Sequence, residues 1–283
     1  LGNGAICQEG DQNMKKLSQT LTITVGIPTC YGGKSLVRVV KSIRASKKIA
    51  PFTFLVVADS TPITISIKNK LQGLGVKLTE NSTPASQIIK VKQMITQTTS
   101  DIFVFTQDDV RFDPEALYEI KKIFVQNPSI TMVGAKILPE PPTSYFERII
   151  CVGLSIVSDI ASGWNGGNNY LAANGRCLAF RVSHLRKMDI PDKLVNTDAY
   201  LFFENARKGG YFAVAENAIV YNPNPTSFSE QLRQTERFLY SKRELSLHFN
   251  HTIDSQYQIP RLLFIHTMLK LFFASPIMFC LYL

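Results

Sequence analysis

The sequence is poor in the groups that build disulfide frameworks, metal clusters and redox centres. Only five cysteines occur in 283 residues, at 7, 30, 151, 177 and 280, and no two form a CxxC pair. So sparse and odd a set excludes a zinc ribbon or redox dithiol and reads as a chain of a reducing, cytosol-facing environment. Four histidines supply one i, i+3 pair, His248 and His251, without the further ligands a metal site needs. Charged residues make up only 19% against 45% apolar, which excludes intrinsic disorder. Sixteen glycines and 14 prolines follow no period, so collagen-like and low-complexity classes fall away. Residues 1–20 hold no apolar run and are read as a tail, not a signal peptide. No GxGxxG follows the first strand and no P-loop occurs, which disfavours both phosphate-binding designs.

What is present is a basic balance, 31 Lys and Arg against 22 Asp and Glu for a net +9, and an apolar end. The basic residues are dispersed and cluster mainly in 34–48, which suits an anionic membrane surface and argues against a nucleic-acid partner. From Arg261 to Leu283, 17 of 23 residues are apolar. That stretch is expected to be an interfacial helix leading into a membrane span, with a buried core helix as the alternative, since a span needs about 20 apolar residues.

Along the chain, apolar β-branched runs alternate with helical patterns. Leu21–Ile27, Phe52–Ala58, Val76–Leu78 and Ile102–Thr106 read as strands. The helix after residue 33 carries Leu36, Val40 and Ile43 on one face, and Ile63–Leu74 and Ser86–Thr98 follow as helices. Asp113-Pro114-Glu115 is expected to open another helix with Asp as its cap. Met132–Leu138 and Tyr211–Tyr221 read as further strands, Thr197–Lys208 and Phe228–His248 as helices. The alternation predicts an α/β fold, a Rossmann-like, mostly parallel central sheet with helices on both faces. Ligands of such sheets bind beyond the carboxyl ends of the strands. Those ends carry Pro28-Thr29, Asp59 and Gln107-Asp108-Asp109.

Adjacent carboxylates after a buried strand repel one another and lose solvation, a cost that a divalent cation removes. They are also compatible with a plain turn. Asp198, in the first turn of its helix, is either a general base or a cap. Gln234, Arg237 and Phe238 share one helix face by i, i+3, i+4 spacing, and Arg holds phosphates bidentately.

In this order the residues resemble the inverting family 2 glycosyltransferases of GT-A fold over about Leu21–Tyr240, notably the catalytic domain of polysaccharide synthases. Ile27-Pro28-Thr29-Cys30-Tyr31 and Val57-Ala58-Asp59-Ser60 resemble the nucleotide-binding strands, Asp59 contacting the base. Gln107-Asp108-Asp109 stands where the metal-binding DxD falls. The segment Gly175-Arg176-Cys177 resembles that beside the acceptor, and Trp164 is assigned to the same side. Asn196-Thr197-Asp198 occupies the place of the Glu-Asp pair whose Asp is the base. Gln234-Thr235-Glu236-Arg237-Phe238 resembles QxxRW.

The resemblance therefore implies donor contacts at Pro28, Thr29, Tyr31, Asp59, Asp108, Lys92, Gln234, Arg237 and Phe238, and metal ligation at Asp109 and Asp108. It implies acceptor contacts at Trp164, Gly175 and Arg176, and Asp198 as base. Lys90 and Lys92 both fall near the family's diphosphate positions. Cofactors would be Mg²⁺ or Mn²⁺ with a nucleotide-diphosphate sugar, UDP-linked by expectation. The acceptor would be a saccharide or lipid-linked hydroxyl. The expected layout is a GT-A domain over 21–250 and an interfacial and membrane segment over 251–283, at the cytoplasmic face of the cell membrane. Gln107, Thr197 and Phe238 depart from the family's residues, which keeps a non-catalytic relative open. A sugar-nucleotidyltransferase is the other alternative.

Overall fold

The computed structural model describes residues 21–250 and 252–283, without the side chains of residues 237–239, 252 and 255. The tail read at 1–20 and the His251 half of the histidine pair lie outside the described residues.

Short apolar runs make β1 (Ile23–Thr29), β2 (Thr53–Ala58), β3 (Val76–Glu80) and β4 (Ile102–Thr106). β1 and β4 are buried from end to end, as strands covered on both faces are. Between them run α1 (Lys34–Arg44), α2 (Ile65–Gly73) and α3 (Gln87–Gln97). In α1 Leu36, Val40 and Ile43 are buried while Lys34, Arg38 and Lys41 face solvent, the division their spacing predicts. α3 starts where Ser86 Oγ accepts the Ile89 N–H at 3.3 Å.

After β5 (Arg111–Phe112) comes α4 (Ala116–Gln126), which opens later than expected. Asp113 Oδ1 instead accepts the Glu115 N–H at 3.0 Å in a turn ahead of the helix. β6 (Ile130–Pro139) leads to α5 (Tyr145–Gly163), an apolar helix that the periodicity reading passed over. Its start is a reciprocal cap: Ser144 Oγ accepts the Glu147 N–H at 3.1 Å and Glu147 accepts the Thr143 N–H at 2.7 Å. A single 3₁₀ turn, Trp164–Gly167, follows. Then come β7 (Cys177–Arg181), α6 (Val182–Leu185), α7 (Thr197–Arg207), β8 (Tyr211–Asn222) and α8 (Phe228–Phe249).

The eight strands form one sheet in the order β3-β2-β1-β4-β7-β6-β8-β5. β3, β2, β1 and β4 are parallel. β7 then runs antiparallel to both β4 and β6, β6 pairs parallel with β8, and β5 lies antiparallel on the edge. The fold is thus α/β as expected, its parallel character concentrated in the first half. α1 and α4 pack on one face with Val25, Ile27, Phe54 and Val56, and α3 and α7 on the other with Leu55, Val57, Phe103 and Phe105. Thr29 stands opposite Ala58, and Gly26 opposite Phe105, so β1, β2 and β4 end at one edge.

The C-terminal stretch is not one continuous helix. Ser275 and Pro276 divide it into α10 (Arg261–Ala274) and α11 (Pro276–Tyr282), after the short α9 (Thr252–Gln256). Pro276 occupies the first turn of α11, where its missing N–H costs nothing. Both helices pack along α5, with Phe279 closing on Ile156 and Ile160. Among the described residues, only Tyr145–Gly167 is helical, long and apolar enough to cross a membrane, and a third of its apolar window is buried in the protein.

Candidate active site

The shared edge of β1, β2 and β4 gathers the first group of side chains. Pro28 lies within β1 and Thr29 at its end, where the Thr29 hydroxyl donates to Asp108 and accepts the Gly32 N–H at 3.0 Å. Tyr31 projects into solvent beyond the strand. Asp108 is thereby held by β1, while Asp109 reaches the surface beside it. Although its edge is open, the protein crowding around Asp109 and then the Asp108 charge push its pKa above the usual carboxylate value; Arg176 opposes this.

Asp59 does not stand open to solvent. It is 3% exposed and forms a buried ion pair with Lys90 Nζ at 2.8 Å, and Lys90 also donates to Thr29 O at 3.1 Å. The Ala85 N–H donates to its second oxygen at 2.6 Å. Burial by itself would raise the Asp59 pKa, but the hydrogen bonds from Lys90, Ala85 and Ser60 together hold it below the usual value. Asp59 forms part of the wall of a recess of about 190 Å³ with Ser60, Thr61, Glu80 and Asn81.

Lys92, two residues along α3, points elsewhere. Its ammonium donates to Ile190 O at 3.1 Å and pairs with Asp192, so the structure does not bring it to the strand ends. Lys90 is there instead.

The second group forms where β7 enters between β4 and β6. Thr106 Oγ1 donates to Arg176 O at 2.6 Å, tying this segment to the strand that carries Asp108. The Arg176 side chain donates to Asn222, at the end of β8, and Asn174 Oδ1 accepts the Arg176 N–H at 3.0 Å. Asp198 projects from the first turn of α7, capped by Asn196, and its Oδ2 accepts the Gly175 N–H at 2.8 Å. A Cβ on Gly175 would lie 3.2 Å from that oxygen, close enough to push the carboxylate back by a few tenths of an ångström. Burial raises the Asp198 pKa; the Gly175 and Ala199 N–H groups and Arg176 only partly offset it.

Helix α8 closes one side. Glu244 accepts the Val195 N–H at 2.8 Å and the Asn196 N–H at 3.1 Å, fixing α8 against the start of α7. Gln234 lines a cavity of about 410 Å³ that Asn174, Arg176 and Asn222 also line. The Arg237 and Phe238 side chains, expected on the same face, lie outside the described residues. Trp164 is a correction: only 4% exposed, it packs edge-on against Tyr170 at 5.7 Å, within the core and off the cavity wall. Sequence reasoning missed Asn222, Asn174 and Glu244, which carry no motif. Lys90 did carry a signal, a lysine among the buried positions Ile88, Val91 and Met94 of α3.

Comparison with known proteins places this arrangement. Residues 102–283 match the family model described as glycosyl transferase family group 2. No curated protein sequence matches the chain. Among solved structures, the mannosyltransferase PcManGT from Pyrobaculum calidifontis, in complex with GDP-Man and Mn²⁺, is similar at TM-score 0.57 and 15% identity, over 96% of this chain and 79% of that one. Glucosyl-3-phosphoglycerate synthase from Mycobacterium tuberculosis, in complex with phosphoglyceric acid, gives TM-score 0.55 and 13% identity over 81% and 82%. S. aureus TarS 1-349 in complex with UDP gives 0.56 and 15% over 80% and 65%.

Proposed function

From its membership of glycosyl transferase family group 2, we propose that this glycosyltransferase moves a sugar from a uridine-diphosphate sugar to a hydroxyl acceptor at a membrane surface, with inversion at the anomeric carbon. One observation carries the reading. Asp198 accepts the Gly175 N–H at 2.8 Å, and the hydroxyl of Thr106, two residues ahead of Asp108, donates to the carbonyl of the adjoining Arg176 at 2.6 Å, so one backbone segment links the lone carboxylate to the paired ones. The uridine assignment follows the family resemblance at Asp59, which walls a recess of about 190 Å³ at the end of β2.

Asp108 and Asp109 fit a divalent cation. They are adjacent like charges, with Asp108 held by the Thr29 hydroxyl and Asp109 reaching the surface beside it. Such a pair leaves coordination positions for phosphate oxygens and water. Mn²⁺ or Mg²⁺ bound there would neutralise charge on the leaving diphosphate. The chain's own residues do the rest. The Asp198 carboxylate, fixed by the Gly175 N–H, accepts the acceptor's hydroxyl proton. The freed oxygen bonds to the anomeric carbon from the face opposite the nucleotide, and the bond to the phosphate oxygen breaks. Nucleoside diphosphate leaves; Arg176 and, on the family resemblance, Arg237 supply positive charge there.

Replacing Asp109 with Asn should weaken Mn²⁺-dependent UDP binding about tenfold or more, and Asp108→Asn less, since Thr29 still anchors that position. Unchanged affinity of Asp109→Asn in calorimetry with Mn²⁺ sinks the metal assignment. Release of nucleoside diphosphate, not pyrophosphate, from the donor separates sugar transfer from nucleotidyl transfer.

The membrane part of the reading is supported by the outer side of α10 and α11. Leu262 is 83% exposed and Phe273 76%, with Ile265, Leu269 and Ile277 exposed near them. Such a face suits the acyl boundary of a bilayer, here assigned to the cytoplasmic leaflet. Leu262→Glu combined with Phe273→Glu is expected to abolish sedimentation with anionic vesicles and to leave UDP binding intact. Full vesicle binding by the double variant would disprove the surface assignment.

A further inference from the structure

The cavity of about 410 Å³ lies beside the centre described above, and its walls are unlike a sugar site. Most of its surface is apolar, contributed by β6, by α5 and by the C-terminal segment. Leu138, Leu154, Val157, Ile160, Leu171 and Ile259 are among its walls. Among its polar groups, Asn174, Arg176 and Asn222 enter at the strand ends and Gln231, Gln234 and Thr235 from one face of α8, with Lys136, Ser158 and Ser162 on the β6 and α5 walls. Gln231 Oε1 is buried and has no hydrogen-bond partner among the described residues. A buried amide oxygen without a donor is costly and is normally satisfied, so it marks a place for a donor from a ligand.

The far wall is closed by the C-terminal segment through Tyr257, Ile259 and Tyr282. Tyr282 of α11 lines the cavity and lies on Gly153 of α5, where any Cβ would meet its ring at 2.2 Å. The cavity therefore runs from the residues next to Gly175, whose N–H holds Asp198, to α11, whose other residues Ile277 and Leu281 are exposed. Its volume lies within the range of small-molecule pockets, and its few polar groups converge with the catalytic centre.

We propose that this cavity seats the hydrocarbon chain of an amphipathic acceptor, with its hydroxyl-bearing head between Gln231 and Arg176, beside Asp198. The proposal rests on the glycosyltransferase reading and deepens it: the acceptor is a lipid-type alcohol that slides in from the bilayer side, not a free polysaccharide. A hydroxyl of the head donates to Gln231, and the chain replaces water against the apolar walls of α5 and β6.

The test uses hexyl, heptyl and octyl β-D-glucoside below their micellar concentrations. Binding is read from the fluorescence of Trp164, the one tryptophan of the chain, which packs on Tyr170 of the cavity wall. Affinity is expected to rise about fourfold for each added methylene, the gain for burying one such group. Ala161→Phe, which fills the cavity from α5, should remove that gain. Ser158→Phe, at a half-buried position on the same wall, serves where Ala161→Phe does not fold. Equal affinity across the series overturns the proposal. So does a chain-length gain that survives in a folded cavity-filling variant, since the chain would then bind elsewhere. Mn²⁺-dependent UDP binding, measured on the same samples, reports separately on the functional reading. If UDP binds and chain length has no effect, this inference alone has failed.

Discussion

Asp198→Asn is expected to lose sugar transfer by about 100-fold or more, the lower end of what a positioned general base contributes, while still binding UDP and Mn²⁺. The amide cannot take the hydroxyl proton, yet its oxygen can still accept the Gly175 N–H, so the local fold has reason to persist. The wild-type pH profile carries a signed expectation as well. Only the ionised carboxylate works as a base. Burial raises the Asp198 pKa, so the acid limb of kcat should lie above the value near 4 typical of a free Asp. Activity rises with pH through that limb and the variant lacks it. Near-normal turnover of Asp198→Asn would reduce Asp198 to a helix-start residue and place the base elsewhere.

The second large effect is on stability. Lys90→Met leaves the Asp59 carboxylate buried without its cation, a change that typically costs about 3–5 kcal/mol. Urea unfolding followed by circular dichroism measures it. Because Asp59 has a lowered pKa in the folded state, the stability it contributes is complete above the unfolded value of about 3.9. It is lost as pH falls through the lower folded value. The difference between wild type and variant should therefore shrink in acid. Adding Asp59→Leu to Lys90→Met should recover much of the loss, since an apolar pair removes the orphaned charge. A single-variant loss below about 1 kcal/mol would mean that the pair contributes no net stability and that its place under the recess serves binding alone.

The alternation of β1, α1, β2, α2, β3, α3 and β4 could be read from the sequence because each element is local. A β-branched run bounded by turn residues, or a stripe such as Leu36, Val40 and Ile43, fixes period and type within a dozen residues. The polar strand ends Thr29, Asp59 and Asp108-Asp109 followed from the same pattern. The start of α5 is also encoded locally, by the reciprocal cap of Ser144 and Glu147.

Tertiary structure alone decided the rest. Lys90 and Lys92 are equivalent in a motif, yet two steps of about 100° turn them to opposite sides of α3. One is buried against Asp59 and the other pairs with Asp192. Antiparallel β7, inserted between β4 and β6, brings Arg176 to Thr106 across 70 residues and to Asn222 across 46. No sequence period encodes such pairings, because they follow from strand order. Trp164 was assigned to the acceptor side by resemblance, but Tyr170 and the core enclose it. The apolar content of 261–283 was plain from composition. That it folds back in two helices along α5 and walls a cavity depends on Pro276 starting a new helix and on Gly153 admitting the Tyr282 ring. The sequence by itself determined which segments are apolar and where charge meets a strand end. Only the tertiary structure decided which of them share a site, since contacts between distant residues depend on how the sheet is ordered and packed.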